Sequence, residues 1–283
     1  MKKLLPLMLL PLTLSLGGCS KEDVSHTIYT SIYPVHDFVS RIVGDKYKVV
    51  NLTPAGVEPH DYELSAKQIV NLANCKAAFI SGVHMEEWYD SLPDTTKAKT
   101  CDLSKDITII QTYGQDDPHI WLSPLNAIIE METVTNYMSS IDPENKAYYE
   151  ANLATNKTLF TELHTSYVNA VNEFDNKNIV VAHAAYGYMC NLYGLNQIAV
   201  NGVDPEKEPS SKTIEEIIEK VKQYNITTIF TEELISEKIA RQIAEECNVK
   251  VDVLDPIETI EGDDNYISIM KDNLSRLSKA CKQ

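Results

Sequence analysis

Seven short runs rich in β-branched and aromatic residues punctuate the chain: HTIYTSIY (26–33), YKVVNLTP (47–54), KAAFISG (76–82), NIVVAHAA (178–185), LNQIAVNGV (195–203), ITTIFTEE (226–233) and VKVDVLDP (249–256). Strands that alternate with helical patterns argue for parallel sheets covered on both faces. The runs fall into two groups, and one long helical segment separates them. There Tyr149, Leu153, Phe160, Leu163, Tyr167, Val171 and Phe174 recur at spacings of three, four or their sum, an apolar helical stripe. Asp142 is placed to cap this helix, with Pro143 at its first position. From Pro143 to Phe174, at ~1.5 Å per residue, the rod would be roughly 48 Å long. A second helix is signalled by PSSKTIEEIIEKVKQYNI, in which a serine cluster precedes Ile214, Ile217, Ile218 and Val221 on one face. The pattern predicts an α/β protein of two βα lobes, 25–142 and 176–283, joined by a connecting helix over 143–175.

The first nineteen residues, MKKLLPLMLLPLTLSLGGC, change the picture of where the chain works. Lys2 and Lys3 precede an apolar run too short to span a bilayer, followed by small residues, the pattern of an export signal. Leu16-Gly17-Gly18-Cys19 resembles a bacterial lipobox, in which the cysteine becomes the lipidated first residue, and the polar SKED that follows suits a tether. The remaining chain, roughly 260 residues, is long enough for one large or two smaller cores. The formal charge of −16, more negative still once Lys2 and Lys3 are removed, argues against nucleic acid or anionic headgroups as partners and attracts cations. Beyond Cys19 the cysteines are Cys75, Cys101, Cys190, Cys247 and Cys281, an odd number with no C-x-x-C spacing, so no zinc knuckle or thioredoxin-like site is indicated. Export permits disulfides, and Cys75 with Cys101 or Cys247 with Cys281 are the candidate pairs.

Candidate chemistry gathers where strands end. Ligands of open parallel sheets bind outside the carboxyl ends of the strands. His60 follows YKVVNLTP, His119 lies in DDPHIWLSP, His183 ends NIVVAH, and Glu258 lies just past VKVDVLDP. Two of the histidines share an acid-Pro-His order, Glu58-Pro59-His60 and Asp117-Pro118-His119, and the prolines restrict the backbone beside each ring. Asp255, Glu232 and Glu233 compete with Glu258 as carboxylate candidates, while Glu58 and His84 are candidates for the surroundings of the site. Three neutral imidazoles and one carboxylate suit tetrahedral Zn²⁺; Mn²⁺ is harder and prefers more oxygen donors.

The lipobox, GVEPHDYELSAKQI, DPHIWLSP, VAHAAYGYM with YGL after it, EPSSKTIEEI and VLDPIE resemble, in order, the metal-binding lipoproteins of zinc and manganese ABC importers, the cluster A-I solute-binding proteins of ZnuA and AdcA type. That resemblance implies two βα lobes bridged by a rigid helix with the metal between them. It implies His60, His119, His183 and Glu258 as ligands, where manganese-selective members usually carry a glutamate at the position of His183. It also implies delivery to a membrane permease driven by a cytoplasmic ATPase, by a monomer anchored outside the cell membrane through Cys19. The histidine-rich loop of many zinc members is replaced here by TYGQDD. Two other readings give different expectations. An exported zinc hydrolase would use Glu258 as general base on a metal-bound water, although the chain has no HExxH; an adhesin would hold zinc structurally and unfold without it.

Overall fold

The computed structural model describes residues 23–205, 209–232, 234, 236–260 and 262–282. The leader, Cys19 with its expected lipid, and Glu233 lie outside these residues. The first half runs β1 (Thr27–Thr30), α1 (Tyr33–Val43), β2 (Lys48–Asn51), α2 (Ala66–Asn74), β3 (Ala77–Ile80), a one-turn α3 (Asp94–Lys97) and β4 (Thr100–Asp102). Its four strands pair in parallel in the order β2-β1-β3-β4. A small antiparallel hairpin, β5 (Gln111–Thr112) and β6 (Gln115–Asp116), leads to two consecutive helices, α4 (Pro124–Ile141) and α5 (Lys146–Asn172). The second half runs β7 (Asn178–Val181), α6 (Gly187–Tyr193), β8 (Asn196–Ala199), α7 (Ser211–Gln223), β9 (Thr228–Thr231), α8 (Lys238–Cys247), β10 (Lys250–Val253) and α9 (Tyr266–Cys281). Its parallel sheet has the order β10-β9-β7-β8.

Both sheets therefore have one topology: the first strand of each half lies between its second and third, and the fourth lies outside the third. The inner strands β1, β3 and β9 are buried at every position, as strands covered on both faces must be. Edge strands β2 and β10 each begin with an exposed lysine, Lys48 and Lys250, which discourages further pairing. Local sequence explains the helices. α1 begins with Pro34 in its first turn and buries Val35, Phe38, Val39 and Ile42 at three- and four-residue spacing. Ser65 and Gln68 close a reciprocal capping box on α2, and Ser210 caps α7, which buries Ile217 and Val221 as the stripe predicts.

The long connecting helix differs from its expectation at both ends. Pro143–Asn145 forms a 3₁₀ turn, and the α-helix proper covers 27 residues from Lys146 to Asn172, about 40 Å. The Asp142 side chain caps no backbone N–H there. Its carboxylate instead accepts from the hydroxyls of Tyr47 (3.0 Å) and Tyr149 (2.5 Å) and the amide of Asn145 (2.9 Å), donors that outcompete the cap. The helix is one arm of a helical hairpin with α4, against which α1 and α9 also pack. The largest apolar cluster runs through this layer from Ile28, Phe38 and Phe79 to Phe230, Leu254 and Met270, so the two halves share a core.

The candidate disulfides are absent. All five cysteines of the described residues are free thiols, four buried and Cys247 partly so. Cys75 turns its sulfur to the carbonyl oxygens of Leu72 and Ala77 (3.1 and 3.3 Å), and Cys101 faces Lys105 Nζ at 4.0 Å. Thiol titration without reductant is expected to find all five reactive after denaturation, and only Cys247 reactive at an appreciable rate in the native protein; recovery of three or fewer would mean a disulfide has formed. No helix among the described residues is long and apolar enough to cross a membrane.

Candidate metal centre

The two acid-Pro-His loops use the same local device. In each, the carboxylate two residues before the histidine accepts that histidine's backbone N–H at 3.0 Å: Glu58 Oε1 from His60 and Asp117 Oδ1 from His119. The shorter aspartate reaches further round, so that Asp117 Oδ1 also lies 2.8 Å from His119 Nδ1. Glu58 cannot do this from its longer stem. Its Oε2 is buried with no hydrogen-bond partner, and burial, then the nearby Glu258, push its carboxyl up to about 8.

His183 and its partner leave adjacent strands. Its ring follows β7 and Glu232 follows β9, the two strands flanking the point where the chain order of the sheet reverses, where open α/β sheets place their ligands. Glu232 Oε1 and Oε2 lie 2.8 and 2.7 Å from His183 Nδ1. A carboxylate at Nδ1 holds the proton on that nitrogen and leaves the Nε2 lone pair free, the arrangement found around metal-bound imidazole. His119 and His183 are both presented in this way.

Glu258 is held by a loop tied to both halves. Ile257, wholly buried, has φ +62°, a left-handed conformation that costs energy for a β-branched residue. Asp255 supports it by accepting the Ile257 N–H at 2.6 Å. Trp121 Nε1 donates to Pro256 O (2.7 Å) and Gly56 N donates to Thr259 Oγ1 (2.7 Å), both from the first half. Two of the rival carboxylates are thus engaged elsewhere, Asp255 on the Ile257 N–H and Glu232 on His183 Nδ1, and among the described residues it is Glu258 that faces the Nε2 atoms of all three imidazoles.

The four expected residues converge. Glu258 Oε1 lies 3.6 Å from His60 Nε2, 3.3 Å from His119 Nε2 and 3.5 Å from His183 Nε2, while the last two nitrogens are 3.2 Å apart. One donor atom from each of the four lies within 4.8 Å of all the others. Tetrahedral Zn²⁺ with bonds of ~2.0–2.1 Å requires donor separations of about 3.3–3.4 Å. His60 Nε2 and Glu258 Oε1 are buried without a hydrogen-bond partner, a cost that a cation between them removes. With the proton of each ring on Nδ1, the Nε2 atoms of His119 and His183 would face each other as lone pairs at 3.2 Å, a repulsion that a shared proton or a cation relieves.

The electrostatics have the sign a cation site needs. Burial pushes Glu258 upward, but the imidazoles of His119, His183 and His60 outweigh it and hold the carboxyl well below its usual range. Burial lowers His119 and His183, yet the carboxylates at Asp117, Glu232 and Glu258 more than reverse this and raise both. Protons and a metal ion therefore compete for the same lone pairs. His84 is not brought to these donors. It is exposed, with φ +61°, and lines an outer cavity that His60 also borders. Asp117 and Glu232 are the carboxylates that face the Nδ1 atoms of His119 and His183; an acid two places before His119 and an acid directly after a strand were their only marks in the sequence.

Residues 28–280 match the family described as zinc-uptake complex component A, periplasmic (ZnuA). The zinc-binding lipoprotein AdcA of Streptococcus pneumoniae (strain ATCC BAA-255 / R6) is 33% identical over 309 aligned residues, covering 100% of this chain and 62% of the relative. The chain thus spans less than two thirds of that relative's length. The high-affinity zinc uptake system protein ZnuA of Bacillus subtilis (strain 168) is 31% identical, with 91% of this chain and 88% of the relative covered. Among solved structures, the Zn(II)-bound ZnuA-like domain of Streptococcus pneumoniae AdcA superposes with a TM-score of 0.81 at 34% identity, covering 92% of this chain and 100% of that one.

Proposed function

The chain belongs to the ZnuA family of zinc-uptake components, and from that premise we propose that it captures Zn²⁺ outside the cell membrane and delivers it to an ABC importer. The observation that carries this reading is the convergence of the four donors: Glu258 Oε1 lies 3.3 to 3.6 Å from the Nε2 atoms of His60, His119 and His183, the last two are 3.2 Å apart, and all four atoms lie within 4.8 Å of one another. In this reading 25–142 and 176–283 are the metal-binding lobes, 143–175 connects them, and the ion sits between. A shell of three nitrogens and one oxygen favours Zn²⁺ over the harder Mn²⁺. Four protein donors also complete a tetrahedron and leave no vertex for an activated water, which supports binding over hydrolysis.

Delivery requires a permease and its cytoplasmic ATPase, and tethering requires the lipid on Cys19; the receptor would act as a monomer. The core continues through both halves without recourse to the metal, so the metal-free protein should remain folded, unlike one in which zinc is structural. The test is metal analysis of protein purified without added metal, followed by Zn²⁺/Mn²⁺ competition and circular dichroism of the stripped form. One zinc per chain, retained against excess manganese, with a folded stripped form, is the expected result. Retention of manganese alone, or unfolding on chelation, would overturn it.

A further inference from the structure

The hairpin formed around TYGQDD, where many zinc members of the resembled family carry a histidine-rich loop, has contacts the metal site does not itself require. Thr112, at the end of β5, is 8% exposed, and Asp117 and His119 are 0% exposed. Thr112 Oγ1 donates to Asp117 Oδ2 at 2.7 Å, while Asp117 Oδ1 receives the backbone N–H and ring Nδ1 of His119 at 3.0 and 2.8 Å. A carboxylate with no access to water needs donors on both oxygens, and here one donor is the hairpin and the other is the ligand histidine.

The second half closes over this arrangement. A Cβ on Gly187, the first residue of α6, would stand 2.3 Å from Asp117 Oδ2 and 2.6 Å from Thr112 Oγ1, so only glycine lets the helix approach this closely. The next residue, Tyr188, donates its hydroxyl to Asp117 O at 3.0 Å and accepts from Ile110 N at 3.3 Å. At the turn of the hairpin, the Tyr113 hydroxyl accepts from Ala199 N, at the end of β8, at 3.0 Å. The hairpin belongs to the first half, yet its anchors lie in the second.

We propose that this hairpin orients the His119 donor, with Thr112 a positioning residue that acts on the ring through Asp117. The inference rests on the reading of His119 as a zinc donor and deepens it. With Oδ2 pinned, the carboxylate cannot rotate about its Cβ–Cγ bond, so Oδ1 stays on Nδ1 and Nε2 stays aimed at the ion's position before the ion arrives. Holding a donor in place beforehand lowers the ordering cost of binding. Because the pinning hydroxyl is sealed by Gly187, the orientation of His119 depends on how the two halves sit together.

The experiment compares Thr112→Val, which keeps shape and removes the hydroxyl, with Thr112→Ser, which restores it. Loss of a partner outside the ligand shell costs about 10–100-fold in metal affinity; acting one bond further out, Thr112→Val should lie at the lower end, about tenfold, with Thr112→Ser recovering most of it. A second readout uses no metal: at alkaline pH, where the ring is neutral, long-range imidazole ¹H–¹⁵N spectra of the stripped protein should show His119 as a single Nδ1–H tautomer in wild type and in Thr112→Ser, and as a mixture of tautomers in Thr112→Val. Zinc affinity within about twofold of wild type together with an unchanged tautomer in Thr112→Val overturns the proposal, as does equal impairment of Thr112→Val and Thr112→Ser, which would indicate packing. If the wild type binds no zinc, the functional reading fails, while the tautomer comparison still decides the part played by Thr112.

Discussion

Replacing His183 by alanine is expected to weaken zinc binding by more than about 100-fold, beyond the ~10–100-fold that loss of an orienting partner costs. Three features make the loss of this residue costly, the first two shared with His119 and the third its own. Its side chain is 0% exposed; its Nε2 stands 3.2 Å from His119 and 3.5 Å from Glu258; and both oxygens of Glu232, a residue 4% exposed, face its Nδ1. Alanine would remove a donor and strand a buried carboxylate at once, and a charge left without its partner is strongly unfavourable. His60→Ala should cost less, because the His60 side chain is 13% exposed and a water can reach the vacated vertex. Competition with a chromogenic chelator measures both. A His183→Ala affinity within tenfold of wild type, or a larger loss for His60→Ala, would contradict this ranking. The metal-free variants must first be shown to melt cooperatively, so that lost binding is not mistaken for lost fold.

The ranking also marks the limit of what the chain displays in one dimension. Seven strands were legible because each lies in a short run rich in β-branched, aromatic or other apolar residues, and the acid-Pro-His loops were legible because both the proline and the carboxylate act within two residues. β4 was not: Thr100–Asp102 turns only Cys101 fully inward, too little for a pattern. The β5–β6 hairpin pairs Gln111 with Asp116 and Thr112 with Gln115, all polar, and reads as a turn. α4 hides its period because Glu130, Thr133 and Thr135 share its buried positions with Ala127, Met131 and Val134. Glu232 could be marked as an acid near the site, but its pairing with His183 depends on β9 lying beside β7, a fact of sheet order across about fifty residues of chain. Likewise the cap expected from Asp142 gave way to Tyr47 and Tyr149, the first of them from a different part of the chain. Local chemistry was visible; chemistry assembled by strand order was not.

Glu130, the residue that obscured α4, carries the largest expected effect on stability. It is 0% exposed, and neither carboxylate oxygen has a hydrogen-bond partner. Burial, and then the neighbouring carboxylates of Glu86 and Asp102, raise its carboxyl well above the ordinary value. Glu86 is itself buried, accepts from Ser81 N and Gly82 N at 2.8 and 3.0 Å, and is pushed up to about 7, first by burial. Leaving a polar group buried without a partner costs about 1–3 kcal/mol, so the similarly shaped Glu130→Met should gain roughly that amount at neutral pH, a rise in Tm of about 2–4 °C per kcal/mol for a chain of this size. The sign with pH follows from linkage. The unfolded chain ionises Glu130 near 4.5, the folded chain only at higher pH, so the native state holds the extra proton and stability falls as pH rises through that interval, by up to about 1.4 kcal/mol per unit. The imidazoles His119 and His183, raised in the fold, add a fall of the same sign, and Glu258, lowered, adds a loss on the acid side, so the quantity to follow is the difference between variant and wild type, both stripped of metal. Urea denaturation between pH 5 and 8 should show that difference growing with pH. A difference that stays flat across this range would mean that Glu130 is already ionised or already partnered in the folded protein.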